Sequence, residues 1–340
     1  MIRFSNDYSE CCHPRILEIL AATNTDGYSG YSTDPHTAHA HDLIRKAIDC
    51  PDADVHIMVG GTQANLITIS AFLRSFEAVI AADSGHICVH ETGAIEATGH
   101  KCIACPTTDG KLTPALITAA LNAHSTEHMV LPKMVYISNT TEVGTYYTTA
   151  ELEAIRTVCD EHGLLLFLDG ARLGSALATG TMVLSDLARL CDLFYIGGTK
   201  NGAMMGEALV IVNPALKENF RFAIKQHGGL MAKGWLLGVQ FEVLMQDDFY
   251  IEQGAHSNRL ALQLKEGIAA LGYTFASDSM TNQQFPIFPD EIVAALGKEF
   301  TFEYQSKPSA THTEIRLVTS WATKESAVTA FLSALKALTK

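Results

Sequence analysis

The sequence predicts an α/β protein: a large domain built on a mostly parallel, doubly wound sheet, followed by a smaller α+β C-terminal domain. Three observations carry this. Between residues 55 and 200, short apolar runs alternate with amphipathic helical stretches, the alternation that builds a parallel sheet with helices on both faces. Two of those runs, 164–172 and 192–200, end in Asp169-Gly-Ala-Arg172 and Gly197-Gly-Thr-Lys200, which places an acid, an arginine and a lysine at carboxyl ends of strands, where open α/β sheets bind ligands. From about His256 the pattern changes to one long helix, several short strands and a final helix.

At 340 residues the chain is long enough for two domains, since single cores stop growing near ~250–300 residues. Its composition is that of a globular protein, 47% apolar and 18% charged. A net charge of −13 without a basic stretch argues against nucleic-acid binding, which needs clustered Lys and Arg. Anionic ligands must then be met by individual arginines. The first residues carry no apolar signal core, and no run approaches the ~18 apolar residues of a membrane span. A cytoplasmic protein with no membrane partner is expected. The eight cysteines are dispersed and read as reduced thiols; Cys102 and Cys105 have metal-ligand spacing but lack a second pair.

Residues 1–24 form an N-terminal segment too short to fold alone; residues 25–255 make the large domain and 256–340 the small one. Pro14 opens a helical pattern of Ile16, Leu17, Ile19 and Leu20 that Asn24, Asp26 and Gly27 end. Tyr28 to Pro35 is a loop by composition. His36, His39 and His41 follow on a helix; the first two share a face and the third points away, so no metal is expected. Val55 to Asn65 reads strand, glycine turn, helix. Such a turn presents free N–H groups at a helix N-terminus, where the dipole favours a phosphate. Gly61, Thr62 and Gln63 are the expected phosphate residues. Neither a dinucleotide fingerprint nor a P-loop is present.

Ala78 to Asp83 is the next strand, followed by Ser84-Gly85-His86 and a helix carrying His90 and Glu91. Residues 101–105 and 134–139 are further strands, with a helix opened by Thr113-Pro114 between them. Thr149, ahead of Glu151, caps a helix carrying Leu152, Ile155 and Val158, which feeds the strand ending at Asp169. The link from Lys200 to the strand 206–212 is short, so that strand is antiparallel to its neighbour. Lys233 follows in a glycine-rich turn before a long apolar helix; it reaches a phosphate, across a subunit boundary, or lies on the surface. Arg316 stands in an otherwise apolar strand, where an unpaired guanidinium is costly, so a carboxylate partner is expected.

Lys200 and Asp169 at two strand ends suit one cofactor. Pyridoxal 5'-phosphate needs an amine for a Schiff base and an anion that keeps its ring nitrogen protonated, so that the ring acts as an electron sink. Thr199 and Arg172 flank these two groups.

The motifs Leu-Asp-Gly-Ala-Arg (168–172), Gly-Gly-Thr-Lys (197–200), Gly-Gly-Thr-Gln-Ala-Asn (60–65) and Thr-Glu-Ile-Arg-Leu-Val-Thr (313–319) resemble those of the low-specificity threonine aldolases. That family belongs to the β-eliminating-lyase branch of the aspartate-aminotransferase-like, fold-type I pyridoxal-phosphate enzymes. The resemblance runs from about Ser5 to the C-terminus. It implies that residues 1–24 pack with the small domain, and that Ser5, Arg172 and Arg316 bind the substrate carboxylate. It also implies that His86 stacks on the cofactor ring, with Glu91 either orienting it or lying on plain surface. The active site would lie between subunits of a homodimer or homotetramer. Threonine aldolases usually carry a histidine where this chain has Thr141, so the group acting on the β-hydroxyl is open, His86 or a water it holds being the expected base.

The activity implied is retro-aldol cleavage of L-threonine, L-allo-threonine and similar β-hydroxy-α-amino acids to glycine and an aldehyde. Lys200, His86 and Asp169 are the expected catalytic residues. β-Elimination or transamination on the same cofactor is the alternative, and a degenerate scaffold that only binds ligand is a third reading.

Overall fold

The computed structural model describes Met1–Thr339; Lys340, the last residue of the expected small domain, lies outside the described residues. After the short β1 (Ile2–Arg3), seven strands form one sheet: β2 (Asp54–Met58), β3 (Glu77–Ala82), β4 (Lys101–Cys105), β5 (Leu131–Ser138), β6 (Leu165–Asp169), β7 (Leu193–Gly197) and β8 (Glu207–Ile211). Their order is β2-β8-β7-β6-β5-β3-β4. β3 to β7 run parallel, and β8 is antiparallel to both β7 and β2, as its short link to β7 requires. This is the mostly parallel, doubly wound sheet expected of an aspartate-aminotransferase-like fold.

Alternate residues of each strand feed opposite faces, which explains two cores. Ile80, Val135, Ile137, Leu166, Leu168 and Phe194 pack on one side, and Val79, Met134, Tyr136, Phe167, Leu193 and Tyr195 on the other. Strands buried on both faces need continuous apolar runs, and β7 is buried along its whole length.

A third core joins Phe4 to Leu260, Leu264, Phe288, Ile315, Leu317 and Phe331. It lies against a second sheet built from β9 (Thr274–Phe275), β10 (Gln283–Gln284), β11 (Pro286–Pro289), β13 (Glu303–Ser309) and β14 (His312–Val318). β1 pairs in parallel with β12 (Phe300–Thr301), so the amino terminus is tied to the carboxyl-terminal third. The helix expected from about His256 begins at Phe249 and runs to Ala270, and position 255/256 falls inside it.

Two local readings need correction. The helix after β5 is capped by Thr148, one residue earlier than expected, through a capping box with Glu151. The helix opened by His86 stops at Val89, because Thr92 and Gly93 both take positive φ; Glu91 therefore lies beyond it. Among the described residues no helix is long and apolar enough to cross a membrane, and the eight cysteines are free thiols.

Candidate active site

The carboxyl ends of β6 and β7 converge through backbone contact. Gly197 N–H donates to Gly170 O at 3.0 Å. A Cβ at Gly170 would lie 1.9 Å from Tyr195 O, and one at Gly197 would lie 2.5 Å from Gly170 O. Neither backbone can yield, so only glycines let the Asp169 and Lys200 turns meet.

The Lys200 turn is closed by Gly198 N–H to Gly206 O at 2.9 Å and Asn201 N–H to Gly198 O at 2.9 Å. Thr199 Oγ1 accepts from Gly206 N–H at 3.0 Å, so Thr199 holds the turn. Beneath it Glu207 Oε2 accepts from Gly198 N–H at 3.1 Å, and burial, against the Thr199 hydrogen bond and the Lys200 charge, pushes its pKa up to about 8. Lys200 itself is held below the ordinary lysine range, first by burial and then by the Arg172 guanidinium. A neutral amine is the nucleophilic form.

Asp169 is buried and surrounded by donors. Its carboxylate accepts from the Tyr136 hydroxyl, from Asn65 Nδ2 at 3.3 Å and from Ala171 N–H at 2.9 Å. Burial, followed by the Asp169 charge, drives the Tyr136 phenol well above its ordinary value, which keeps it a donor. Asn65 Nδ2 also donates to Glu91 Oε1 at 2.7 Å, and the same oxygen meets His86 Nδ1 at 2.8 Å. Glu91 thus orients the imidazole. Burial pulls the His86 pKa down, but the Glu91 bond and the Glu142 and Asp169 charges outweigh it, leaving the pKa raised. Glu91→Gln keeps an acceptor for Asn65 while removing the charge, so the His86 midpoint is expected to fall. NMR titration of the imidazole measures it; an unmoved midpoint would show that Glu91 does not govern His86.

Asn65 stands one turn into the helix Gly61–Phe72, which brings that helix's start beside Asp169. Its first internal bond is Ala64 N–H to Gly60 O at 3.1 Å. The N–H groups of Gly61, Thr62 and Gln63 therefore have no acceptor among the described residues, while Gln63 Oε1 accepts from Val59 N–H at 3.3 Å. Three free donors at the N-terminus of a 12-residue helix fit a phosphate.

Arg172 is buried and bidentate on Asp7, Nε to Oδ2 at 2.8 Å and Nη2 to Oδ1 at 3.2 Å; its Nη1 has no acceptor among the described residues. Asp7, Arg172, Lys200 and Asn282 line one small cavity. Arg316 on β14 has a buried Nε without a partner, and its pKa is lowered by burial and then by the charge of Arg172. The expected carboxylate partner is thus not supplied by the described residues. Ser5 lines a different cavity, with Arg3, Asn6 and Thr301, and has no hydrogen bond to Lys200, Arg172 or Arg316. Lys233 is exposed on the turn before the helix Trp235–Leu244 and likewise makes no ion pair. His36 and His39 share a helix face and both contact Glu242, at 2.5 and 2.8 Å.

Asp7, Tyr136, Asn65 and Asn282 were not anticipated as site residues. The one available signal was an acid two positions after Ser5 in a chain start rich in polar residues; the others read as ordinary strand, helix and loop positions.

The donor set fits pyridoxal phosphate: a depressed lysine, a buried carboxylate, a flat imidazole and a helix N-terminus with free N–H groups. Comparisons with known proteins agree. The beta-eliminating lyase family matches residues 13–290. A low specificity L-threonine aldolase of Pseudomonas aeruginosa is 35% identical over 269 residues, 78% of this chain and 77% of that one. One from a Pseudomonas species is 30% identical over 343 residues, covering 98% of this chain and 96% of that one. A solved structure described as Leishmania major threonine aldolase is 53% identical, covers 100% of both chains and superposes with a TM-score of 0.99. The chain belongs to the beta-eliminating lyase family, among its threonine aldolases.

Proposed function

We propose that this chain is a pyridoxal-phosphate-dependent aldolase that cleaves L-threonine, L-allo-threonine and related β-hydroxy-α-amino acids to glycine and an aldehyde. One observation carries the reading: the Arg316 guanidinium is unpartnered and within the field of Arg172, whose own Nη1 is free and which lines one cavity with Lys200, so two guanidinium groups by a reactive amine have donors left for a carboxylate. An α-amino acid supplies it. When bound, pyridoxal phosphate supplies an electron sink for the pair released from a Cα bond.

Lys200 Nζ would hold the cofactor. The N–H groups of Gly61, Thr62 and Gln63 would bind its phosphate, and Asp169 would keep its ring nitrogen protonated while Tyr136 and Asn65 fix that carboxylate. His86, set by Glu91, would pack against the cofactor and exclude water. Arg172 and Arg316 would clamp the substrate carboxylate and so select which Cα bond is aligned for cleavage. Ser5 would help to bind the substrate carboxylate, and Lys233 would reach a phosphate across a subunit boundary of a cytoplasmic homodimer or homotetramer.

The test is product analysis of cofactor-saturated protein with L-threonine and L-allo-threonine in parallel. Equimolar glycine and acetaldehyde are expected. Pyruvate or a keto acid with ammonia, and no glycine, would overturn the aldolase reading in favour of elimination.

A further inference from the structure

Glu142 is an acid the scheme above leaves unused. It follows β5 in the loop that carries Thr141, on the side of the sheet where β6 and β7 deliver Asp169 and Lys200. It lines one small cavity with Thr141, with Ser84 and Gly85, the turn that delivers His86, and with Tyr136 and Ser138. Its carboxylate makes no hydrogen bond or ion pair with any described residue, although basic groups surround it.

Those groups come from every neighbouring element. They are His86 and His90 after β3, Arg172 and Lys200 beyond the ends of β6 and β7, and Arg316 on β14. Its charge acts on all five. The other acids that act on these groups, Asp7 and Asp169, are committed to Arg172 and to Tyr136.

Thr141, one residue earlier, is not available. Its hydroxyl is 2.7 Å from Thr145 Oγ1 and accepts from Thr145 N–H at 3.2 Å, so it closes the loop. His86 has its Nδ1 engaged by Glu91, which leaves Nε2 as its one free nitrogen, whereas both carboxylate oxygens of Glu142 are without a partner among the described residues.

We propose that Glu142 is a further catalytic residue: its carboxylate takes the proton of the substrate's β-hydroxyl as the Cα–Cβ bond breaks. The inference rests on the aldolase reading. The O–H electron pair becomes the second bond of the aldehyde carbonyl, and the Cα–Cβ pair stays with the glycine fragment, which takes a proton at Cα before release. Glu142 returns its proton to solvent, or to the aldehyde oxygen in the reverse condensation.

The experiment compares two reactions of the same holoenzyme. Cleavage of L-threonine needs a base at the β-hydroxyl; exchange of the glycine α-proton with deuterated solvent does not. Glu142→Gln is expected to lower cleavage by about a hundredfold or more, the scale of a positioned base, while glycine exchange stays within about threefold. In cofactor-free protein the same variant lowers the NMR titration midpoints of His86 and His90, and Glu142→Asp recovers part of the cleavage. Cleavage unchanged in Glu142→Gln, equal loss of both reactions, or unmoved histidine midpoints would overturn the assignment. Wild-type protein that exchanges glycine but cleaves neither threonine overturns the reading beneath it instead.

Discussion

Lys200→Ala is expected to abolish aldehyde release, by more than about a thousandfold, because an activated amine that forms the covalent link has no substitute in the site. No second lysine lines the cavity shared by Asp7, Arg172 and Asn282. The backbone of the turn is held by Gly198, Gly206 and Glu207 rather than by the lysine side chain, so the variant should fold. Stability supports the same test. The Lys200 pKa is lowered in the folded protein, so between that value and the ordinary lysine value of about 10.4 the unfolded chain binds more protons. The Lys200 contribution to folding stability of the cofactor-free protein therefore rises with pH across that window, read as the difference between wild type and Lys200→Ala. Two measurements check the variant: borohydride trapping of the cofactor, which should fail, and acetaldehyde release from L-threonine. Cleavage within tenfold of wild type would show that the reactive amine is elsewhere.

What the sequence made legible is what short-range pattern determines. β7 reads directly because a doubly buried parallel strand must be apolar throughout, and Gly197-Gly198 marks its end. The helix start at Gly61 and the antiparallel β8 follow from turn chemistry and link length. The helix stop at Val89 was missed because Thr92, a residue without special licence for positive φ, adopts it together with Gly93. The pairings inside the site were not legible. Arg172 meets Asp7 from 165 positions away, and Tyr136 reaches Asp169 because β5 and β6 are neighbours in parallel register. In a doubly wound sheet Tyr136 points to one face along with Met134 and Phe167, so as a letter in a strand it reads as core. Its hydroxyl becomes functional only when the helix Gly61–Phe72 closes over that face and brings Asn65 to the same carboxylate. Periodicity locates strand ends; it does not say which side chains meet there.

Asp7→Ala is expected to cost about 3–5 kcal/mol of folding stability, the scale of a buried ion pair broken from one side. Asp7 is fully buried, and its carboxylate takes two bonds from Arg172 and a third from Asn282 Nδ2 at 2.9 Å. Removing it leaves a buried guanidinium without its acceptor, while Asn282 Nδ2 keeps only its bond to Thr319 O at 2.9 Å. It also loosens the amino-terminal segment, which otherwise holds by the β1–β12 pair, by the Val318 N–H bond to Phe4 O and by Phe4 in the third core. The pH dependence follows. Burial raises the Asp7 pKa, but the Arg172 and Lys200 charges and the hydrogen bonds outweigh it, so the folded value is lowered. The stabilisation is complete above the unfolded carboxyl value of about 3.9 and is lost as pH falls through the folded one. Urea unfolding of cofactor-free wild type and Asp7→Ala from pH 7 downward should show the gap closing only in strong acid. A gap below about 1 kcal/mol at neutral pH would mean that Arg172 finds another acceptor, and Glu142 is the acid within its field. The double variant Asp7→Ala/Arg172→Met separates the two cases: replacing both partners removes the stranded charge and should recover part of the loss. Recovery would show that the cost lies in the unpaired guanidinium, so that the Asp7–Arg172 pair as a unit adds less to the fold than either single loss suggests.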